Sequence, residues 1–212
     1  MINRLQKIYT LLFDAFGPQR WWPGETPFEV AVGAILTQNT NWGNVEKAII
    51  NLKQAGKLDP EALHKISHEK LALLIKPAGY FNIKSKRLKN FISFFMKEYD
   101  GNILNMKKEK AEKIREKLLS VNGIGPETAD SIILYALDKP VFVIDAYTKR
   151  VLSRHNIKKL DASYDEYQEL FHSMPKKDVQ LFNEYHALLV RLAKENCRTK
   201  PVCADCPLER MK

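Results

Sequence analysis

VNGIGPETAD, residues Val121 to Asp130, is the stretch on which the fold turns. Residues 109 to 119 before it carry apolar side chains at helical spacing, and Thr128, Ile132 and Ile133 open a second helix after it. Only Ser120 to Gly125 remains to join the two, so the chain must reverse within a tight connection. Gly123 and Gly125 allow positive φ and close backbone approach, while Pro126 suits a first helical position, where the N–H would go unpaired anyway. The amides of such a turn and of the helix start form a natural cradle for a phosphate. An isolated Gly-x-Gly is more often an ordinary corner between helices, so the reading depends on what surrounds it.

Apolar residues recur at helical spacing along nearly the whole chain: Leu5, Ile8, Leu12 and Phe16; Phe28, Val32, Ile35 and Leu36; Val45, Ile49 and Leu52; Leu88, Phe91, Ile92 and Phe95. Strand alternation is scarce. Breaks at Gly17-Pro18, Pro23-Gly24, Gly56, Asp59-Pro60, Pro77 to Gly79, Gly101, Lys139-Pro140 and Pro175 cut the pattern into helices of ordinary length. The expectation is an all-α protein of about ten helices. At 212 residues the chain suffices for one domain or for two small lobes sharing a cleft.

Lys and Arg number 34 against 25 Asp and Glu, a formal charge of +9, which favours a polyanionic partner such as nucleic acid. An anionic membrane surface is the competing explanation. Against it, no apolar run approaches the length of a bilayer span, and Met1 to Phe16 is an amphipathic pattern with Asp14 and no small-residue cleavage site. The chain therefore reads as soluble and cytoplasmic, associated with the nucleoid through DNA. Its basic residues cluster at Lys84, Lys86, Arg87 and Lys89, at Lys107, Lys108, Lys110 and Lys113, and at Lys149 and Arg150. Most of these read as a solvated face; those flanking the glycine turn and Asp145 are the candidate phosphate contacts.

Leu118 to Ala129, written Leu-x-x-Val-x-Gly-Ile-Gly-x-x-Thr-Ala, is followed by Val-Ile-Asp in VFVIDAYTKRV, with Asp145 eighteen residues after Glu127. Together these resemble the helix-hairpin-helix DNA glycosylase superfamily, which includes endonuclease III. The resemblance spans most of the chain. It implies two lobes: a helical barrel over 20–138 containing the hairpin motif at 109–137, and a second lobe from 1–19 plus 139–212. It also implies a monomer acting on double-stranded DNA that contains damaged bases. In that family the hairpin, here Gly123 and Gly125, grips a phosphate, often with a monovalent cation on the turn carbonyls. The aspartate, here Asp145, lies at the mouth of the base pocket; Lys149, in the basic pair that flanks it, is the candidate DNA contact on that side.

Members that also cleave the strand carry a lysine nucleophile where this chain has Glu127. A carboxylate cannot form an imine, so the resemblance implies a monofunctional enzyme; taken alone, Glu127 is an acid favoured by the first turn of a helix. Asp145 would stabilise oxocarbenium character on the sugar and orient or deprotonate the attacking water. Its plainer reading is a cap for the helix that starts at Ala146.

RWWPGETPFEVAVGAILTQNTNW, Arg20 to Trp42, holds all three tryptophans. It resembles the 3-methyladenine DNA glycosylase III branch of the superfamily, whose aromatics line the base pocket; here these are Trp21, Trp22 and Trp42. A cationic methylated purine between aromatic faces gains on the order of 0.5 to 2 kcal/mol beyond stacking, and it is already a good leaving group. Each tryptophan read alone fits a core role equally well. By the same resemblance Gln38 fills the space left by a flipped base, Tyr80 is the wedge, and Lys194 lines the pocket; Lys84 and Lys86, at the loop-to-helix entry after Tyr80, stand where phosphates would lie. The plain alternatives are a helix-end amide, a loop anchor and a surface lysine. The rival functions are a glycosylase of this fold for oxidised pyrimidines or mispaired adenine, and a DNA-binding module without catalysis.

The three cysteines, Cys197, Cys203 and Cys206, all fall in the last sixteen residues, which excludes a disulfide framework. Cys197-x5-Cys203-x2-Cys206-Pro-Leu resembles the [4Fe-4S] loop of the family at 197–206. The family's fourth cysteine is replaced by Lys212. Three outcomes stay open: a cluster with an unusual fourth ligand, a zinc site completed by a histidine such as His186, or a loop that holds nothing.

Overall fold

The computed structural model describes residues 2–22 and 24–211, so Pro23 of the Trp-Trp-Pro motif and Lys212 of the cysteine pattern lie outside the described residues. Among those residues the chain is helical, with no strand. In order come α1 (Ile2–Phe16), α2 (Pro27–Leu36), α3 (Trp42–Gln54), α4 (Pro60–Lys65), α5 (His68–Leu74), α6 (Phe81–Tyr99), α7 (Ile103–Lys108), α8 (Ala111–Leu119), α9 (Pro126–Ser131), α10 (Ala146–Arg154), α11 (Tyr164–His172) and α12 (Val179–Glu195). Twelve described helices exceed the ten or so that the breaks suggest, because short helices such as α4, α5 and α7 carry too few turns to show a period. None of the helices is long and apolar enough to cross a membrane. The chain divides into two compact units, Met1–Trp22 with Pro140–Lys212, and Pro23–Lys139.

The Pro23–Lys139 unit is built around α2. Thr26 caps its N-terminus by accepting from the Glu29 amide, Pro27 occupies the first turn, and Phe28 through Leu36 are all buried. A helix apolar on every side belongs in the middle of a core, and α2 packs against α3, α6, α9 and the π-helical stretch Ile132–Ala136 that continues α9. Its one buried carboxylate, Glu29, is paired with Lys53 at 2.9 Å. Phe95 of α6 stacks on Phe28 and on Phe91, with ring centres 5.8 and 5.7 Å apart.

In the other unit α1 buries Leu5, Ile8 and Leu12 and packs on α12, where the Tyr185 hydroxyl donates to Leu5 O at 2.9 Å. Phe142, Phe171, Phe182 and Tyr185 form its aromatic centre. The segment Val141 to Ile144 is buried yet neither helical nor paired in a sheet. Buried backbone polar groups need partners, and α11 supplies them: Tyr164 Oη accepts from Ile144 N, Gln168 Nε2 donates to Phe142 O, and His172 Nε2 accepts from Phe142 N. Spaced four apart, these three residues share one face of α11. That face fixes the segment delivering Asp145.

Candidate active site

The hairpin consists of α8, the turn 120–125 and α9. Gly123 has φ +96°, a left-handed conformation that disfavours any side chain, and a Cβ there would lie 2.2 Å from Cγ of Arg87. Gly125 differs, with φ −95° and open space where a Cβ would stand. Of the two glycines only Gly123 uses positive φ, which corrects the shared role expected of the pair. Nothing among the described residues demands the bareness of Gly125. Arg115 of α8 meets Asp130 of α9 through Nε–Oδ1 at 2.8 Å and Nη2–Oδ2 at 3.4 Å, a two-point bond to a fully buried carboxylate that sets the helices' mutual position. Glu127 is exposed in the first turn of α9.

Gln38 follows α2 and is bound to this hairpin. Its amide nitrogen donates to Gly123 O at 3.0 Å and to Thr128 Oγ1 at 2.9 Å, and its oxygen accepts from Arg87 Nη1 at 2.5 Å. The turn carbonyls offered to a monovalent cation are thus in part engaged: Gly123 O by Gln38 and Val121 O by the Ile124 amide. Tyr80 precedes α6 in a left-handed conformation, φ +46°, with 68% of its surface exposed. Trp42 opens α3 and is half-buried.

Lys84 does not fit its expected place on a phosphate. It is 1% exposed, and its ammonium donates to Leu36 O at 2.8 Å and Ala78 O at 2.7 Å. Burial, with repulsion from Arg87, draws it down to about 8. Lys89 is likewise taken up by the carbonyls of Leu63, His64 and Ile66. Lys149 also differs from expectation: it donates to Ala162 O at 2.8 Å and lies over the Tyr167 ring. Arg150 beside it holds Cys197 O and Ala193 O.

In the Met1–Trp22 and Pro140–Lys212 unit, Asp145 caps α10, its Oδ1 accepting from the Thr148 amide at 2.6 Å. Its Oδ2 lies 3.5 Å from Nε2 of His186, and the two side chains are 12% and 6% exposed. Capping and chemistry are compatible, because the cap occupies only one carboxylate oxygen. Burial pushes the Asp145 carboxyl up, but the neighbouring His186 imidazole and the bond from Thr148 outweigh it. The net direction is below the ordinary carboxylate value. Trp21 and Trp22 meet edge to face at 5.8 Å, and the Trp21 indole N–H is buried with no acceptor among the described residues. The exposed Lys194 places its ammonium 5.9 Å from the ring centres of both Trp21 and Tyr147.

The cysteines line one cavity of about 330 Å³ with Arg154, His155 and Glu209. Yet no three His, Cys, Asp or Glu side chains among the described residues converge to hold a metal ion. Cys197 Sγ accepts from Arg154 Nη1 at 3.4 Å, so that sulfur already serves the chain's own packing. The described donors therefore do not fit an iron–sulfur cluster or a zinc ion. His186, considered as a zinc ligand, stands at Asp145 instead.

Sequence reading missed His186 in this role, along with Tyr147, Arg87 and the Tyr164, Gln168, His172 face. The spacing of four on α11 is a visible signal for the last; His186 carried none, because only the fold brings it to Asp145.

Residues 32–176 match the HhH-GPD superfamily of base excision DNA repair proteins. Over 207 residues the chain is 49% identical to a protein of Methanocaldococcus jannaschii provisionally named a DNA repair glycosylase, covering 97% of this chain and 94% of that protein. The endonuclease III of Thermotoga maritima is 25% identical over 184 residues, 86% of this chain and 81% of that protein. Among solved structures, the H. pylori 3-methyladenine DNA glycosylase MagIII bound to 1,N6-ethenoadenine superimposes with a TM-score of 0.76 at 30% identity, over 92% of this chain and 97% of its own. An endonuclease III–DNA complex superimposes with a TM-score of 0.83 at 18% identity, over 100% of this chain and 94% of its own, a likeness of fold.

Proposed function

Since the chain belongs to the HhH-GPD superfamily of base excision DNA repair proteins and is a DNA repair glycosylase, we propose that it hydrolyses the N-glycosidic bond of alkylated purines, 3-methyladenine among them, without cutting the strand. The observation that carries the reading is Asp145. It is a nearly buried carboxylate with one oxygen held by the Thr148 amide and the other 3.5 Å from His186, in the same compact unit as the Trp21–Trp22 pair and Lys194.

The flipped base would stack on Trp21 and Trp22, which share a compact unit with Asp145. A cationic purine gains more from such faces than a neutral one. As the bond to the base stretches, positive charge grows on the sugar, and the Asp145 carboxylate stabilises it and takes the proton of the attacking water. Because the methylated base leaves as a neutral molecule, one acid suffices. The bare Gly125 and the start of α9 would receive a phosphate, Tyr80 would wedge the duplex, and Gln38 would leave its bonds at the hairpin to fill the gap. Glu127 supplies no amine for a covalent step. The similarity to MagIII, a 3-methyladenine DNA glycosylase, supports the methylated-purine reading; the rival is a glycosylase of this fold acting on oxidised pyrimidines or mispaired adenine.

Chromatography of bases freed from methylated and from oxidised duplex DNA tests both. Release of 3-methyladenine by the wild type, its loss in Asp145→Asn with duplex binding retained, and no borohydride-trapped complex are the expected results. Release of oxidised pyrimidines instead, or a trapped complex, would overturn the proposal.

A further inference from the structure

We propose that His186 is a positioning residue for Asp145, its Nε2–H holding carboxylate oxygen Oδ2 while the Thr148 amide holds Oδ1. This rests on reading Asp145 as the group beneath the sugar. The torsion that turns a carboxyl group is soft, so the single bond from Thr148 at 2.6 Å leaves Oδ2 free to swing. His186 Nε2 lies 3.5 Å from that second oxygen. Hydrogen bonds of this kind are often long before substrate arrives and tighten in the complex.

His186 is itself well fixed. It sits mid-helix on α12, between the buried Tyr185 and Ala187, and α12 packs directly on α10, the helix that Asp145 caps. Its ring meets Phe142 edge to face at 6.1 Å, and Phe142 stacks on Phe171 at 3.5 Å. Phe142 stands three residues before Asp145 on the segment that α11 holds. The imidazole and the carboxylate thus share one rigid aromatic support, which transmits the fixed ring orientation to the carboxylate. A ring whose only duty was to fill space would do so without a nitrogen at this carboxylate.

Single-turnover base release from methylated duplex DNA, with duplex affinity and melting temperature measured alongside, compares wild type, His186→Gln and His186→Leu. Glutamine sets an amide N–H close to where the Nε2–H stood; leucine fills the space without a donor. His186→Leu should slow release about 100-fold at unchanged duplex affinity, and His186→Gln should recover most of the rate. Release by the leucine variant at the wild-type rate overturns the proposal. So does a glutamine variant that melts like wild type yet is as slow as leucine.

A second measurement needs no activity. The His186 Nε2 proton resonance should move upfield when the carboxylate is replaced in Asp145→Asn, and an unmoved resonance overturns the pairing. A wild type that frees no base from methylated DNA would count against the proposed reaction, while this resonance still reports on His186.

Discussion

Lys84 donates to the last carbonyl of α2, at Leu36, and to that of Ala78, which closes the short 3-10 turn Lys76–Ala78. A cation between two helix C-termini is favourably placed, and removing it would leave two buried carbonyls unpaired. Lys84→Met should therefore cost about 1–3 kcal/mol of folding stability. It should leave the salt dependence of DNA binding as it was, since no phosphate contact is lost. Lys86→Gln, at an exposed neighbour, should leave stability alone; if it meets a phosphate, the slope falls by about one ion. Urea denaturation and affinity measured across a salt series check both, and a reduced slope in Lys84→Met would restore the phosphate role. In sequence these two lysines are indistinguishable, because helical spacing does not say which of two long side chains turns inward under a neighbouring helix end. In sequence Gly123 and Gly125 form one motif, and the left-handed φ of Gly123, with Arg87 packed against it, separates the glycine this chain needs from the one it leaves bare.

α11 shows how an element can act on a site it does not touch. Ser163 and Glu166 form a capping box at its start, and the backbone amide and side chain of Ser163, with Lys158, hold the Glu166 carboxyl at about 2. Behind that cap, Tyr164, Gln168 and His172 bond the backbone from Phe142 to Ile144, directly ahead of Asp145. Gln168→Leu orphans the buried Phe142 carbonyl, which should cost about 1–3 kcal/mol. It should also slow base release more than it weakens duplex binding, because the Asp145 carboxylate loses its fixed approach. Urea melts together with single-turnover rates decide this; full activity with normal stability would show that the segment is held without Gln168. The helices and the hairpin are legible from period and punctuation. This face shows in sequence only as a spacing of four, and what it bonds, the extended run Val141 to Ile144, emerges with the fold, where side chains take the place of a sheet.

The formal charge of +9 is not a uniformly basic surface. Lys53, Lys84, Lys89, Arg115, Arg150 and Arg154 are engaged by carboxylates or carbonyls of the chain itself. The C-terminal tail shows the structural use of two of them. Arg154 holds Arg198 O at 2.5 Å and Thr199 O at 2.9 Å, Arg150 holds Cys197 O at 2.7 Å, and Leu208 is fully buried. These contacts anchor the segment carrying the cysteines through guanidinium–carbonyl bonds, each of the charge-assisted kind worth roughly 1.5–3 kcal/mol. Such an anchor needs no ion. Treatment with a strong chelator should accordingly leave the melting temperature and the rate of base release unchanged. Arg154→Ala should lower the melting temperature and make Cys203 and Cys206 react faster with a thiol reagent. If chelation alone lowers the melting temperature, a metal contributes to holding the tail, and the arginines are at most its auxiliaries.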